Sequence, residues 1–421
     1  MSPAAPLSSA LSIRPMRAGD DLDAELDLRH RSFGPMSDDA RARSRAALAA
    51  HVGSGRQFGA WSDGEMIGSA KYYDMLQYWH GRPVPMAGVG GVMVAPEARG
   101  RGVGKAMMTG MLTALAGQGY ALSTLYPATA HIYRSLGWEL AGGNYSAEVP
   151  GRTLGSLLPP DPQVPAGRDG LGEAPADAGI RRAVPDDAGQ VVAVLGAVHA
   201  AARDCGPVTR DEASVRRWIA DPALFAYLAD DGFLAYRWHG DTSKAIMIEA
   251  LQARSAGTAR ALWGIVASHA SVTEVVHATV GPNDPVSWLT REPDVGVTRL
   301  RHWMLRVIDP VAAVSGRGFP AATDASAVLD LADATLPGNA GRYTLTVSAG
   351  RGSLSMVATG PSAASPSPAP VALGPRGFAA LYAGVPMTTL RAAGLAVGGD
   401  LETDAALDAV FGCQSFMLDY F

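Results

Sequence analysis

The apolar and polar positions of the chain fall into segments of two periods. Val92-Met93-Val94-Ala95 is an apolar run, Pro96 to Gly102 is rich in glycine and arginine, and helix-forming residues resume at Val103, which predicts strand, loop and helix in that order. Ala121-Leu122-Ser123-Thr124-Leu125 predicts another strand, and Ala130 to Trp138 a short helix that ends at Gly137. Further on, Arg342-Tyr343-Thr344-Leu345-Thr346-Val347 alternates polar and apolar, Gly350-Arg351-Gly352 turns the chain, and Leu354-Ser355-Met356-Val357 returns as the second arm of a hairpin. Leu381, Tyr382, Val385 and Leu390 give the segment 378–395 helical apolar spacing.

Two stretches carry no period. Residues 151–179, with Pro159-Pro160, Pro162 and Pro165, read as a linker that sustains neither helix nor strand, and 363–370 reads as a Pro/Ser loop. An internal echo frames the first of these. Ile13-Arg14, leading to Asp20-Asp21, returns as Ile180-Arg181 leading to Asp186-Asp187, in each case a short strand before a paired-Asp helix start. A duplicated fold follows, divided as 1–150, a linker 151–179, a second copy 180–299 and a mixed α+β unit 300–421. In the second copy Ile246 to Leu251 leads into Gln252 to Arg260, which keeps one glycine and spaces its arginines widely, so no pyrophosphate cradle is expected there.

Length and composition narrow the class. A chain of 421 residues exceeds a single core, and about three domains is the soft expectation. Hydrophobic content of 48% with 18% charged residues is that of a folded soluble protein, and a formal charge of -5 argues against a general nucleic-acid surface. Cys205 and Cys413 are the only cysteines; two thiols so far apart suit a reducing, cytoplasmic compartment and make no zinc site by themselves, so no metal is expected. The opening Met1 to Pro15 lacks the basic and apolar regions of a secretory signal, and Val191 to Ala202 is too short to span a bilayer, so no membrane partner is expected.

The chemistry concentrates at Arg99-Gly100-Arg101-Gly102-Val103-Gly104. The glycines let a ligand approach the backbone, the unpaired N–H groups of an opening helix suit a pyrophosphate, and arginines add bidentate donors. A Walker loop is excluded, because Arg99 and Ala106 stand where it needs Gly and a hydroxyl residue; the dinucleotide fingerprint fails at Lys105, where its third Gly belongs. Arg99-x-x-Gly102-x-Gly104 after a strand resembles instead the coenzyme A loop of the GNAT superfamily of N-acetyltransferases.

Over nearly its whole length the chain resembles the enhanced intracellular survival (Eis) family of acetyltransferases. The likeness rests on Pro85 to Gly88, Val94-Ala95-Pro96 with the Arg/Gly loop, Ile132-Tyr133-Arg134 with Gly137, Trp303 to Ala313, Leu381-Tyr382-x-Gly384 and the terminal pair Tyr420-Phe421. It implies an α+β architecture of an active N-terminal GNAT domain, a degenerate central one and a sterol-carrier-like C-terminal domain, assembled as a hexamer of two trimers. It implies acetyl-CoA as cosubstrate, held by Val92, Met93, Val94, Arg99, Gly100, Arg101, Gly102, Val103 and Gly104, and a primary amine as acceptor, on an aminoglycoside-like molecule, a polyamine or a lysine. It also implies that Tyr133 protonates the leaving thiolate and that the terminal carboxylate of Phe421 is the general base.

One departure bears on the acceptor. Family members that take polycationic aminoglycosides have an acidic residue beside the terminal Phe, whereas this chain has Tyr420, with Asp419 one step further in. Glu25, Asp27, Asp38 and Asp39 are alternative cation attractors, and Phe33, Trp61, Tyr72, Tyr73, Tyr78 and Trp79 are candidates to line an amine pocket. The competing class is a non-catalytic protein whose coenzyme A is structural and whose C-terminal domain carries a lipid; the intact loop and Tyr133 favour catalysis.

Overall fold

A computed structural model describes residues 11–155, 157–158, 179–239, 244–357 and 369–421. Most of the expected linker and of the Pro/Ser loop lies outside the described residues. The first unit runs β1 (Ser12–Pro15), α1 (Leu22–Phe33), α2 (Asp38–Gly53), β2 (Gln57–Ser62), β3 (Glu65–Trp79), β4 (Arg82–Val94), α3 (Val103–Gly117), β5 (Leu122–Leu125), α4 (Ala130–Arg134) and β6 (Glu139–Pro150). One helical turn, α5 (Gly151–Leu154), follows directly. This corrects the start of the expected linker: Leu154 and Thr153 are buried, and packing holds the turn despite its glycine.

The central unit repeats the order with β7 (Arg181–Arg182), α6 (Ala188–Ala202), β8 (Val208–Arg210), α7 (Glu212–Ile219), β9 (Phe225–Ala229), β10 (Gly232–His239), β11 (Ala245–Ala253), α8 (Ala256–Ala267), β12 (Val275–Val280), α9 (Val286–Leu289) and β13 (Gly296–Val307). The sequence echo becomes a structural one. Arg14 grips Asp20 with both terminal nitrogens (2.7 and 2.9 Å), and Arg181 grips Asp187 in the same way (2.7 and 2.7 Å), six residues apart in each case.

The two units share one sheet of order β1-β2-β3-β4-β5-β13-β6-β12-β11-β10-β9-β7. They exchange strands at the middle. β13 lies between β5 and β6, pairing Met304 with Leu125 and with Leu140, while β6 pairs onward with β12. Each unit thus covers the other's open edge, which would otherwise expose a row of unpaired backbone groups. The division expected between residues 299 and 300 falls inside β13.

The last unit comprises α10 (Pro310–Gly316), β14 (Ala325–Leu331), β15 (Gly341–Ser348), β16 (Arg351–Met356), β17 (Val371–Leu373), α11 (Pro375–Tyr382), α12 (Met387–Ala392), β18 (Ala396–Gly398) and α13 (Leu401–Phe411), with sheet order β16-β15-β14-β17-β18. The hairpin forms, but its turn is Ala349-Gly350, both at positive φ (49° and 76°), and Gly352 is inside a strand, paired with Val347, where the Phe319 ring fills the place of its Cβ. The helical stretch 378–395 is broken in two, since Gly384 adopts φ 89° and Pro386 opens the next helix. Among the described residues no helix is long and apolar enough to cross a membrane.

Candidate active site

The Arg/Gly loop forms as strand, loop and helix. β4 ends at Val94, Pro96–Ala98 make a single 3₁₀ turn, and α3 opens at Val103 with Gly102 as its cap residue. Gly100 and Gly102 adopt φ of 74° and 82°, and a Cβ built on either has nothing within 4 Å among the described residues, so the loop is shaped by glycine. Among the described residues no side chain caps α3, and its first turn carries no acidic residue, which suits the positive end of the helix to an anion. Gly104 differs, because its small size serves packing: a Cβ there lies 3.1 Å from Ile132 Cδ1 on α4. Arg99 Nε donates to the Val94 carbonyl (3.1 Å).

β4 pairs with β5 in parallel only from Met86↔Leu122 to Val89↔Leu125, and then the two strands part. On its other side β4 stays paired to β3 through a bulge between Gly90 and Met93. The Ala95 N–H donates to Ile67 on that side (2.9 Å), so alternation turns the Val94 N–H toward the gap. Met93 is buried and Val92 half-buried against the first core. The result is a cleft with an unpaired strand edge on one wall and an uncapped helix at its end, which fits the pantetheine arm and the diphosphate of coenzyme A.

Tyr133 stands at the fourth position of α4, buried, with its ring edge-on to Trp138 (6.1 Å between centroids). Burial pushes its phenol up to about 12. The helix is clamped from β13 and from the C-terminal unit. Glu139 accepts from Arg134 (2.7 Å) and from Arg376 of α11 (2.6 Å), and the buried Arg306 donates to the Leu136 carbonyl (3.0 Å) and to Asp333 (2.5 Å). Gly137, at φ 95°, brings the chain so close that a Cβ would lie 2.9 Å from Arg306 Nε. His131 is exposed.

The chain's last residues come back to this cleft. The Phe421 ring lies on β4, where a Cβ on Gly88 would stand 2.8 Å from it, and its carboxyl carbon is 3.5 Å from the Cβ position of Gly90. Tyr73 (6.1 Å) and Tyr126 (5.7 Å) meet the ring edge-on. The tail is fastened residue by residue: Tyr126 Oη donates to the Asp419 carbonyl (2.6 Å), Arg210 reaches the Asp419 carboxylate (3.0 Å), and Asn144 donates to the Met417 carbonyl (3.0 Å). Ser415 Oγ donates to Ala141, and the Met417 N–H to Gly143 (2.9 Å). Glycines make the channel, since a Cβ on Gly142 or Gly206 would collide with the backbone of Ser415 or Phe416.

Charge beside the terminus is mostly paired. Glu25 is fully buried against Arg29 (2.6 Å), Asp74 pairs with Arg56 (2.9 Å) and Asp27 with Arg31 (2.8 Å), while Asp38 and Asp39 are exposed in the first turn of α2. His51 stacks edge-on against Tyr73 (5.2 Å), and burial, then the charges of Lys71, Arg56, Arg217 and Arg29, push it down to about 4. Of the aromatics proposed to line a pocket, Tyr73 reaches Phe421; Tyr72, Tyr78 and Trp79 are core, Trp61 carries the Arg14 guanidinium at 3.9 Å, and Phe33 is exposed.

Known proteins share this fold. Two acetyltransferase (GNAT) domain families match residues 12–141 and 206–307, and the sterol carrier protein domain family matches 310–418. A GCN5-related N-acetyltransferase of Kribbella flavida, known from its crystal structure, is 38% identical with a TM-score of 0.87, covering 98% of this chain and 99% of that one. The chain belongs to the GCN5-related N-acetyltransferases. The N-acetyltransferase Eis of Mycobacterium tuberculosis is 26% identical over 307 residues, 70% of this chain and 71% of that protein. Eis1 of Mycobacterium abscessus has the same fold, with a TM-score of 0.74 at 24% identity over 97% of this chain and 100% of that one. This is therefore an Eis-like acetyltransferase: two GNAT domains and a sterol carrier domain, acetyl-CoA as donor and an amine-bearing acceptor.

In this acetyltransferase the fold brings Val94, the Arg/Gly loop, α4 and Phe421 to one end of the first sheet. Sequence reasoning passed over residues that hold the tail, Asn144, Arg210 and the glycines of β6. Glycines within strand patterns, at Gly88 and the pair Gly142-Gly143, were the local signal of a backbone passing close by.

Proposed function

We propose that the enzyme acetylates a primary amine in the N-terminal cleft, with the Phe421 carboxylate as general base and Tyr133 as general acid. Acetyl-CoA supplies the activated acetyl group. Its diphosphate would sit on the first turn of α3 with Arg99 and Arg101, its arm along the open edge of β4, and its thioester oxygen at the Val94 N–H. The observation that carries this reading is the return of the chain's own carboxylate to β4, beside Gly90 and at the start of that open edge.

An ammonium has no lone pair, so it loses a proton before attacking a thioester. Moving that proton to a terminal carboxylate costs about 9 kcal/mol in water, from ordinary values of about 10.4 and 3.5. Burial destabilises both charged partners and narrows that gap. Burial likewise keeps the Tyr133 phenol protonated, about 12, so a proton is on hand where thiolate charge appears. A buried thiolate is raised by the same surroundings, which keeps donor and acceptor matched. The acceptors considered are an aminoglycoside-like molecule, a polyamine or a lysine. The reading includes assembly as a hexamer of two trimers, checked by light scattering.

Appending two glycines after Phe421 keeps the ring and turns the carboxylate into an amide. The extended enzyme is expected to bind acetyl-CoA normally and lose about 10²- to 10⁴-fold in kcat. Its residual rate should rise with pH as more amine is already neutral. Undiminished kcat at neutral pH, with mass spectrometry excluding trimming, overturns the carboxylate's role.

A further inference from the structure

The central unit keeps the cleft of its duplicate. β11 and β12 pair in parallel from Ala245↔Val275 to Ile248↔Ala278 and then part, as β4 and β5 do, and β11 bulges against β10 at Glu249 just beyond. The Arg254 N–H donates to Asp231 on the β10 side (2.9 Å), the counterpart of Ala95 and Ile67, so alternation turns the peptide edges of Leu251 and Ala253 into the gap. A cavity of about 600 Å³ opens there, walled by Leu251 to Ala253, by Ala259 and Trp263 of α8, and by the loop after β12. That volume is within the range of about 300–1,000 Å³ typical of small-molecule sites.

Its chemistry differs from that of the first cleft. The start of α8 is closed by its own side chains: Ser255 Oγ accepts from the Thr258 N–H (3.3 Å), and Thr258 Oγ1 donates to the Asp231 carboxylate (2.5 Å). A diphosphate has no free helix end there. The wall is largely apolar; its charged residues offset one another, since Asp204 is paired with His199 (2.8 Å) and Arg203 lies on the same rim as Asp284, and Gln252 has a buried Oε1 without a hydrogen-bond partner among the described residues. Two further walls complete it: the end of α6 with the loop after it, Val198 to Cys205, and the C-terminal tail, through Gln414, Phe416 and Leu418, with the Phe416 ring 3.2 Å from the Cβ position of Gly281.

We propose that this cavity is a second ligand site, which takes a slender uncharged molecule with amide groups, chemically a pantetheine-like arm without diphosphate. The amides would pair with the peptide edges of Leu251 and Ala253. Because the tail is one wall, the bound molecule also holds closed the segment that ends in Phe421.

The test uses the full chain saturated with coenzyme A, which fills the first cleft, titrated calorimetrically with D-pantetheine. One further binding event per chain is expected, abolished by Ala259→Phe and by Ala202→Trp, the latter at an exposed cavity rim where misfolding is less of a concern. Coenzyme A binding in both variants reports that they are folded. At ten times its dissociation constant pantetheine should slow carboxypeptidase release of Phe421 about elevenfold, by mass action on the closed tail. No second event, binding that survives both variants, or two coenzyme A molecules per chain overturns the site; unchanged release overturns its hold on the tail.

Discussion

The two clefts of this acetyltransferase have the same strands and opposite helix ends. In each, four parallel pairs are followed by a bulge and a splay, and the last strand residue faces a glycine, Val94 opposite Gly68 and Ala253 opposite Gly232. The difference is the connection. Residues Ala95 to Gly102, with two glycines in left-handed conformations, swing the chain out and leave α3 uncapped, whereas only Arg254 and Ser255 join β11 to α8 and Ser255 caps it. A second contrast lies across each gap, where α4 has the buried Tyr133 at its fourth position and α9 has the buried Leu289 at its own. A fold can therefore keep a ligand-sized gap while a few residues decide whether the helix end beside it is open or closed.

Four measurements test that contrast, and the largest effect is expected at Tyr133. Tyr133→Phe keeps the ring against Trp138 and should lower kcat about 10²- to 10⁴-fold with acetyl-CoA affinity nearly unchanged. A near-normal kcat would leave Tyr133 no more catalytic than Leu289. Next, Arg99→Ala and Arg101→Ala should each weaken coenzyme A binding about 10- to 150-fold, from charge-assisted bonds of about 1.5–3 kcal/mol, while Arg254→Ala leaves it unchanged. Equal losses in titration calorimetry would mean both helix ends bind the diphosphate.

Smaller effects belong to stability. Ser255→Ala removes the α8 cap and should cost about 0.5–2 kcal/mol in denaturant unfolding without altering coenzyme A affinity. The last concerns pH. His51 takes its proton near 4 in the folded enzyme and near 6.5 when unfolded, so the unfolded state binds the proton first as pH falls. Its contribution to stability should be complete above pH 6.5 and lost progressively toward pH 4, and His51→Gln should flatten that part of the urea-midpoint profile. An unchanged profile would mean that burial against Tyr73 does not hold His51 neutral.

Much of the site was legible because its signals are local. The Arg/Gly loop announces itself through residues whose backbone freedom and charge act within one turn, and the strand and helix beside it follow from apolar period. The echo of Ile13-Arg14 in Ile180-Arg181 was visible for the same reason, and the six-residue spacing to Asp20 and Asp187 returned as matching ion pairs. The hairpin turn and the helix 378–395 were misplaced by a few residues where Phe319 and Gly384 impose conditions that neighbours in sequence do not reveal.

The sequence by itself determined the duplication and the strand, loop and helix around Arg99 to Gly104, because those properties depend on residues close together in the chain. Only the tertiary structure decided that β13 closes the gap between β5 and β6, that Arg376 and Arg306 hold α4, and that Cys205 and Cys413, far apart in the chain, line one cavity. It alone decided that Phe421 lies on Gly88, through a channel of glycines whose partners are hundreds of residues away. Such contacts are made by burial and close approach between distant segments, and neither leaves a periodic trace in the segment that receives it.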